Sequence, residues 1–242
     1  MARYGRKNSA YGYYHIMVRG VNRQDIFLDD CDRTRFIDTL KRFSFETKTD
    51  IIVYCLMTNH VHLLVSAPDG PDVFMKKLSS SYVYYFNHRY GRIGHLFQDR
   101  FKSEAIESDD YLLTAARYIL QNPQKAGICK ASNYQWSNWK DIAFLSGFTK
   151  PQLLYDLAAG NCPLQDYLLA DNDDICLDID TNAQMPDLEA EIKIKQILGN
   201  INLKNVSKET RNHLLVQMKD AGITAVQIEK FIGISRHIAY RA

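Results

Sequence analysis

The chain has 242 residues, of which 46% are apolar and 24% charged, and its formal net charge is +2. This balance is typical of a folded globular protein and excludes a chain that is disordered throughout. The longest uninterrupted apolar run covers residues 51–57, far short of the roughly 20 residues that a membrane span needs, so we expect no membrane segment. Five cysteines without a CxxC pair favour a reducing cytoplasm over a disulfide scaffold or a zinc ribbon.

The charge is unevenly distributed along the chain. Residues 1–150 carry 21 Lys and Arg against 15 acidic residues, whereas residues 151–190 carry 9 acidic residues and no Lys or Arg. Residues 191–242 are basic again, with 9 Lys and Arg against 4 acidic residues. The pattern predicts two modules, 1–149 and 191–242, joined by an acidic linker over 150–190. Basic blocks favour a nucleic-acid partner, although many solvated surfaces have the same composition.

Residues 11–121 show strand-like alternation and helical spacing in turn. The turn residues Thr58-Asn59 place two β-rich runs in a hairpin, and Asn122-Pro123 is expected to end the last helix. The predicted elements, in chain order, are a strand over 11–19, a helix from 29, strands over 51–56 and 60–65, a helix over 72–90, a strand over 101–106 and a helix from 108 to about 121. The first six follow the β-α-β-β-α-β order of the ferredoxin-like fold, which predicts an α+β domain. That fold hosts many functions and does not identify one.

The C-terminal part has a different pattern. One short helix is expected around residues 153–158 within the acidic linker. Ser207 begins a periodic helix, a turn follows at 222–224, and a second short helix is predicted over 226–232. A third helix would begin near Gly233 and carry Arg236, His237 and Arg241. This spacing is that of a DNA-binding helix-turn-helix, and a small helical bundle of another kind is the alternative.

The His60-Val61-His62 sequence is the clearest local signal for chemistry. Side chains alternate along a strand, so both imidazoles lie on one face and Val61 on the other. Two neutral imidazoles at this spacing are able to share a metal ion. The pattern is common, however, and an ordinary pair of histidines is the alternative.

A metal needs at least one further ligand, and the helix before Pro123 offers a pair of candidates. Tyr118 and Asn122 are four residues apart and share a helical face. If that face packs over the histidine strand, a phenol and an amide oxygen join the two imidazoles. The alternatives are a core aromatic for Tyr118 and a helix C-cap for Asn122.

These motifs resemble a known family. The stretch Leu56–Leu64 resembles the histidine-hydrophobe-histidine (HUH) strand of the single-tyrosine transposases of insertion sequences, and Tyr118–Gly127 is similar to their tyrosine helix. Asparagine four residues after the tyrosine, together with a long C-terminal extension, is most similar to the branch of REP-associated tyrosine transposases. The compact members usually carry glutamine there and lack the extension. Further similar segments are Tyr14-His15, Arg19–Arg23, Gly94–Phe101 and Trp136-Ser137.

The resemblance implies a role for each matching residue. His60, His62 and Asn122 would hold a divalent metal, Mg²⁺ or Mn²⁺, and Tyr118 would be the nucleophile. It would attack single-stranded DNA next to a hairpin, giving a 5′-phosphotyrosine link and a free 3′-hydroxyl without a nucleotide cofactor. The resemblance also implies a prokaryotic, nucleoid-associated protein that acts as a monomer or a homodimer.

Elementary chemistry agrees with these roles. A phenol with a pKa near 10 is almost entirely protonated at neutral pH, so a nearby cation that stabilises developing negative charge helps it to react. Two neutral imidazoles and a neutral amide leave that cation its full charge. Four rival tyrosines lack an Asn or Gln four residues on, namely Tyr82, Tyr84, Tyr85 and Tyr111.

Basic and aromatic residues in the first module are the predicted DNA contacts. The basic ones are Arg19, Arg23, Arg89, Arg92, Arg100 and Lys102, with Arg236 in the second module. Unpaired bases are expected to stack on exposed aromatics, for which the candidates are Tyr84, Phe97 and Phe101. Two alternatives to a DNA strand transferase remain open: a DNA-binding regulator that no longer cuts, and a metal-dependent hydrolase in which Tyr118 is structural.

Overall fold

A computed structural model describes residues 8–159, 162–172, 174, 176–177, 187–199, 203, 206–221, 223, 225–235 and 238. Its contacts divide the chain into two compact units, Met1–Leu177 and Asp178–Ala242. Within the described ranges, no helix combines the length and the apolar character needed to cross a membrane.

The first unit is built on a four-stranded antiparallel sheet. Its strands lie in the order β2-β3-β1-β4, which is the order of a ferredoxin-like sheet and confirms the predicted fold class. The main elements are β1 (Tyr13–Arg19), α1 (Asp30–Thr47), β2 (Asp50–Leu56), β3 (His60–Ser66), α2 (Asp72–Tyr90), β4 (Lys102–Ile106) and α3 (Asp109–Lys125).

The two faces of the sheet belong to different hydrophobic clusters because side chains alternate along each strand. Val61, Leu63 and Val65 of β3 pack in the cluster that includes the buried faces of α1 and α2. Leu64, from the opposite face, packs in the cluster that includes α3. Helix α3 therefore covers the face of β3 on which His60 and His62 lie.

Helix α3 does not end at Asn122-Pro123, and the prediction of a stop there is wrong. The helix continues to Lys125 with Pro123 inside it. Proline has no N–H, so the carbonyl of Ile119 loses its usual helical donor. The side-chain amide nitrogen of Asn122 supplies a substitute donor. It lies 2.9 Å from the backbone carbonyl oxygen of Tyr118 and 3.5 Å from that of Ile119. Because Asn122 lies within the helix, the C-cap alternative is also wrong.

Strand β2 is an edge strand whose outer side is covered by the chain after α3. The Leu56 N–H donates to the Trp136 carbonyl at 2.9 Å. The Asn138 side chain accepts from the Tyr54 N–H at 2.8 Å and donates to the Ile52 carbonyl at 2.9 Å. These contacts satisfy backbone groups that would otherwise face solvent in an unpaired row.

The region predicted as an acidic linker differs from that prediction in its first part. Two helices, α5 (Gln152–Ala158) and α6 (Leu164–Leu169), follow the short helix α4 (Trp139–Phe144). Helix α5 matches the short helix expected there. Leu154 and Leu168 are fully buried in the cluster around α3, so this segment belongs to the first unit. The acidic composition masked an apolar face of short helices.

The second unit contains α7 (Asp187–Leu198), α8 (Lys208–Asp220) and α9 (Ala225–Ile232). Ser207 caps α8 as expected, accepting from the Thr210 N–H at 3.2 Å. Helix α9 matches the second predicted helix, whereas α7 was not predicted. Arg236, His237 and Arg241 lie outside the described residues, so the helix-turn-helix remains a prediction.

Candidate active site

The two histidines of the His-x-His motif lie at the start of β3. Their ring centres are 5.1 Å apart with the planes at 83°, as expected for side chains on one face of a strand. His62 is fully buried, and His60 is half-buried. In the β1–β3 pairing, His60 lies opposite Arg19, the last residue of β1.

His62 forms a hydrogen bond with a third histidine. Nε2 of His15 on β1 lies 2.9 Å from Nδ1 of His62, and both side chains are fully buried. The pKa of His62 is held well below its ordinary value, chiefly by burial and then by the positive potential of His15, His60 and Arg19. His62 is therefore neutral, the form in which imidazole binds metals.

The outer histidine is oriented by its neighbour in the hairpin turn. His60 Nδ1 lies 2.6 Å from Oδ1 of Asn59, and the Asn59 amide nitrogen donates to the Arg23 carbonyl at 3.1 Å. Because an amide oxygen only accepts, Nδ1 of His60 carries the proton and Nε2 keeps its lone pair. The turn residue predicted at position 59 thus also fixes the tautomer of a candidate ligand.

Tyr118 on α3 packs directly over this group. Its ring centre lies 5.9 Å from that of His62 and 6.0 Å from that of His15, both in edge-on geometry. Lys125 Nζ lies 4.7 Å from the centre of the same ring. Burial of Tyr118 fits the core-aromatic alternative equally well, but packing against two imidazoles and a cation is more specific than burial.

Asn122 lies one helical turn beyond Tyr118. Its nitrogen donates to the carbonyl of Tyr118, which leaves the side-chain oxygen as the group available to a ligand. The missing backbone N–H at Pro123 therefore determines which end of the Asn122 amide faces away from the helix. Sequence spacing placed Asn122 on the Tyr118 face, and the structure adds the reason for its orientation.

The segment after α6 fastens the tyrosine helix. Arg117 forms a half-buried ion pair with Asp174, with N–O distances of 2.7 and 3.0 Å. The Gln121 amide donates to the carbonyls of Leu168 and Ala170, each at 2.9 Å. We call residues 168–172 and 174 the strap, which begins in the last residues of α6. Its contacts with α3 are therefore made just before and just after Tyr118 along the helix, at Arg117 and Gln121.

The rival tyrosines are engaged elsewhere. Tyr82 donates to the Ile26 carbonyl at 2.6 Å, Tyr85 to Asp32 at 3.0 Å and Tyr111 to Glu104 at 2.6 Å. Burial raises the pKa of each of these three hydroxyls. Tyr84 is exposed on α2, on the face of the sheet opposite α3.

Most predicted DNA-contacting cations lie at the end of the sheet that carries His60. Arg19 ends β1 opposite His60, and Lys102 begins β4 opposite Met17. Arg19 is only 8% exposed, whereas Lys102 is exposed. The remaining members of this group lie in the adjoining loops, namely Arg23, Arg92 and Arg100.

Arg89 differs from the other predicted DNA contacts. Its guanidinium donates to Asp29 at 2.6 and 2.9 Å and to the buried Asp32 at 2.7 Å. This pairing lowers the pKa of the Asp29 carboxyl. The structure therefore assigns Arg89 an ion-pair role between α1 and α2.

The aromatic residues expected to stack on bases differ in their exposure. Phe97 is only 9% exposed and stacks on Tyr82. Of these aromatic residues, Tyr84 is the exposed one.

One atom of the candidate metal-binding residues indicates that they suit a divalent cation. Nε2 of His62 is buried and has no hydrogen-bond partner among the described residues, which is costly for a polar atom unless a ligand binds there. The described part of the chain holds no group of three or more His, Cys, Asp or Glu suited to a metal. A cation at this site would therefore depend on the neutral Asn122 amide as well as on the imidazoles.

Sequence reasoning missed the supporting residues of the site. His15 was noted only as part of a segment that resembles the family, yet it contacts both His62 and Tyr118. Lys125 and Asp174 were not singled out either. Strand alternation places His15 on the same face as Arg19, and the pairing register is the further information needed to bring it to His62.

An antiparallel ferredoxin-like sheet with a His-x-His strand beneath a tyrosine helix defines the class of HUH single-tyrosine transposases. Residues 8–122 match the family model described as "Transposase IS200 like", and this part of the chain belongs to that family.

A comparison with curated proteins gave no match. Among solved structures, the chain is similar to a REP-associated tyrosine transposase described as bound to a REP hairpin. The TM-score is 0.52 and the identity 20%, over 73% of this chain and 95% of that one, which shows a shared fold. A candidate transposase from Deinococcus radiodurans R1 matches with a TM-score of 0.35 and 17% identity, over 46% of this chain and 90% of that one.

Proposed function

We propose that this protein cleaves and rejoins single-stranded DNA beside a hairpin through a covalent link to Tyr118. The observation that carries the proposal is the packing of the Tyr118 ring on His62, 5.9 Å between ring centres, within one chain. A tyrosine placed over a His-x-His pair has the components of a metal-assisted phosphoryl transfer.

In the proposed reaction, the Tyr118 oxygen attacks the phosphorus of a phosphodiester and loses its proton. The bond from phosphorus to the 3′-oxygen breaks, and that oxygen takes up a proton to leave as a 3′-hydroxyl. The DNA 5′-phosphate remains on Tyr118 as a phosphodiester. Attack by a 3′-hydroxyl on this link reverses the reaction and rejoins DNA, so atoms and charge balance without a nucleotide cofactor.

His60, His62 and Asn122 would hold Mg²⁺ or Mn²⁺, with Mn²⁺ the better match to imidazole ligands. When bound, such a cation stabilises the negative charge that develops on the transferring phosphate. The protein's own contribution is to orient both imidazoles, through Asn59 on one side and His15 on the other, and to keep His62 neutral, chiefly by burial. Lys125 adds a positive charge close to the nucleophile.

Two observations support hairpin DNA as the substrate. The structural neighbour of the same fold is described as bound to a REP hairpin. The end of the sheet at His60 also gathers exposed cations, including Arg23, Arg100 and Lys102, which suits a phosphate backbone. A basic helical second unit would add a further DNA contact.

Covalent trapping tests the proposal. Fluorescent hairpin DNA from the flanks of the gene, with single-stranded extensions, is incubated with the protein and Mn²⁺ and run on a denaturing protein gel. We expect an adduct that EDTA prevents and that Tyr118→Phe and His60→Ala abolish. Tyr111→Phe is the matched control, because it removes a hydroxyl from the same helix that bonds to Glu104 instead, and it should leave the adduct intact.

The alternatives give different results in the same assay. Tight hairpin binding without an adduct would replace the proposal with a DNA-binding regulator. Cleaved DNA with free 5′-phosphates and no adduct would indicate a metal-dependent hydrolase. An adduct that survives Tyr118→Phe would show that the nucleophile is misassigned.

A further inference from the structure

A groove of about 1080 Å³ lies between the C-terminal half of α2 and the loop that leads to β4. We call it the α2–β4 groove. One wall is the face of α2 that carries Val83, Tyr84 and His88, and the other is the loop over residues 91–100. Helix α2 packs on the sheet face opposite α3, so this groove is separate from the His62–Tyr118 site.

The groove exposes flat and apolar side chains that a globular surface normally covers. Tyr84 is 76% exposed and Ile93 is fully exposed. The ring of Tyr84 stacks on His88 one turn later, with centres 6.3 Å apart and planes 23° apart. Single exposed apolar residues are ordinary, but two that line one concave surface are more typical of a binding site.

The charge of the groove favours an anionic occupant. Arg92 and Arg100 line it, against Asp99 as the acidic residue of the lining. Arg92 is held in place, because its guanidinium donates to Gln24 at 2.9 Å and lies over the Phe86 ring at 5.5 Å. A flat aromatic surface beside a fixed guanidinium is complementary to a nucleobase and its phosphate.

The loop wall is fixed and connects to the strand end that carries the active site. The Asn87 amide donates to the Gly94 carbonyl at 2.9 Å, which ties the loop to α2. The Gln98 N–H donates to the Arg19 carbonyl at 2.9 Å, and Arg19 is the register partner of His60. The loop of the groove is therefore attached to the same end of the sheet that carries His60.

We propose that the α2–β4 groove binds unpaired nucleotides of the DNA, with at least one base stacked on Tyr84 and a phosphate beside Arg92. This inference rests on the proposed function for its ligand, single-stranded DNA next to a hairpin. It assigns the recognition of unpaired bases to a surface on the opposite side of the sheet from the nucleophile.

Binding of two hairpins by the full chain tests the inference. One hairpin carries a single-stranded extension and the other is blunt, and fluorescence anisotropy at fixed salt gives the two Kd values. We expect Tyr84→Ala to weaken binding of the extended hairpin roughly 5- to 100-fold, the usual effect of losing one stacked base, and to leave the blunt hairpin unchanged. Tyr84→Trp should restore tight binding, since any large aromatic ring can stack. Phe144→Ala, which removes a 78% exposed aromatic from α4, is the matched control and should change neither Kd.

The outcomes separate this inference from the proposed function. If the wild-type protein forms the Tyr118 adduct but Tyr84→Ala binds the extended hairpin as tightly as wild type, the groove assignment is overturned and the chemistry stands. If Tyr84→Ala shows the selective loss although no adduct forms, the groove assignment stands and the cleavage proposal fails. If Tyr84→Ala changes self-association of the protein and neither DNA affinity, the groove is a protein interface and the inference is wrong.

Discussion

Replacing His15 with phenylalanine should weaken Mn²⁺ binding by about 10- to 100-fold, the usual effect of losing the partner of a metal-bound histidine. The reason is the 2.9 Å hydrogen bond between His15 Nε2 and His62 Nδ1. For His62 to offer Nε2 to a metal, its proton must sit on Nδ1 and be donated to His15. Phenylalanine has a similar size and no acceptor. The loss corresponds to about 1.4–2.7 kcal/mol, similar to that of a buried donor left without an acceptor.

The assay is a Mn²⁺ titration of the full chain followed by electron paramagnetic resonance, which measures free Mn²⁺ directly and does not depend on DNA cleavage. His15→Gln keeps an acceptor oxygen and should retain most of the affinity. His213→Phe alters an exposed histidine of α8 and serves as the control. Thermal unfolding of each variant establishes that it is folded under the conditions of the titration.

Two results would refute the reasoning. A folded His15→Phe protein that binds Mn²⁺ as tightly as wild type would show that His62 needs no oriented tautomer. Equal losses in His15→Gln and His15→Phe would show that packing, rather than the hydrogen bond, is what His15 contributes.

Three further predictions concern stability. Asp32→Ala removes a buried carboxylate that accepts hydrogen bonds from four donors and should lower the free energy of unfolding by about 3 kcal/mol, measured by urea denaturation; an unchanged midpoint would contradict this. Burial raises the pKa of Asp141 in α4 above its ordinary 3.8, so its ionisation opposes folding as the pH rises above about 4. Asp141→Asn should therefore remove this loss of stability above pH 4, measured by urea denaturation at several pH values, and a profile as steep as that of the wild type would count against the idea. Arg117→Ala and Asp174→Ala should each speed hydrogen exchange in the strap, and the double variant should match the single ones; additive effects would mean that the ion pair is not the fastening contact.

Local patterns predicted the parts of the fold that depend on neighbouring residues. The hairpin before His60 and the helix over residues 72–90 follow from turn chemistry and periodicity, and the structure has both. The predicted end of α3 was wrong. Pro123 disrupts a helix through its missing N–H, and the Asn122 side chain compensates for that missing donor within the same turn. The helix-breaking tendency of proline alone does not predict this compensation.

The candidate site divides in the same way. Spacing and resemblance predicted the candidate residues His60, His62, Tyr118 and Asn122. His15 and Asp174 were not, since their roles depend on contacts between residues 47 and 57 positions apart. Arg89 was taken for a DNA contact because its charge was visible and its acidic partners on another helix were not.

The covered edge of β2 has a consequence for how copies of this chain are able to meet. A bare edge strand is a template on which a second chain can extend the sheet. Here the outward groups of Ile52, Tyr54 and Leu56 already pair with residues 134–138. A second chain could add a strand at the β2 edge only after displacing residues 134–138, so this edge is closed to sheet extension between molecules.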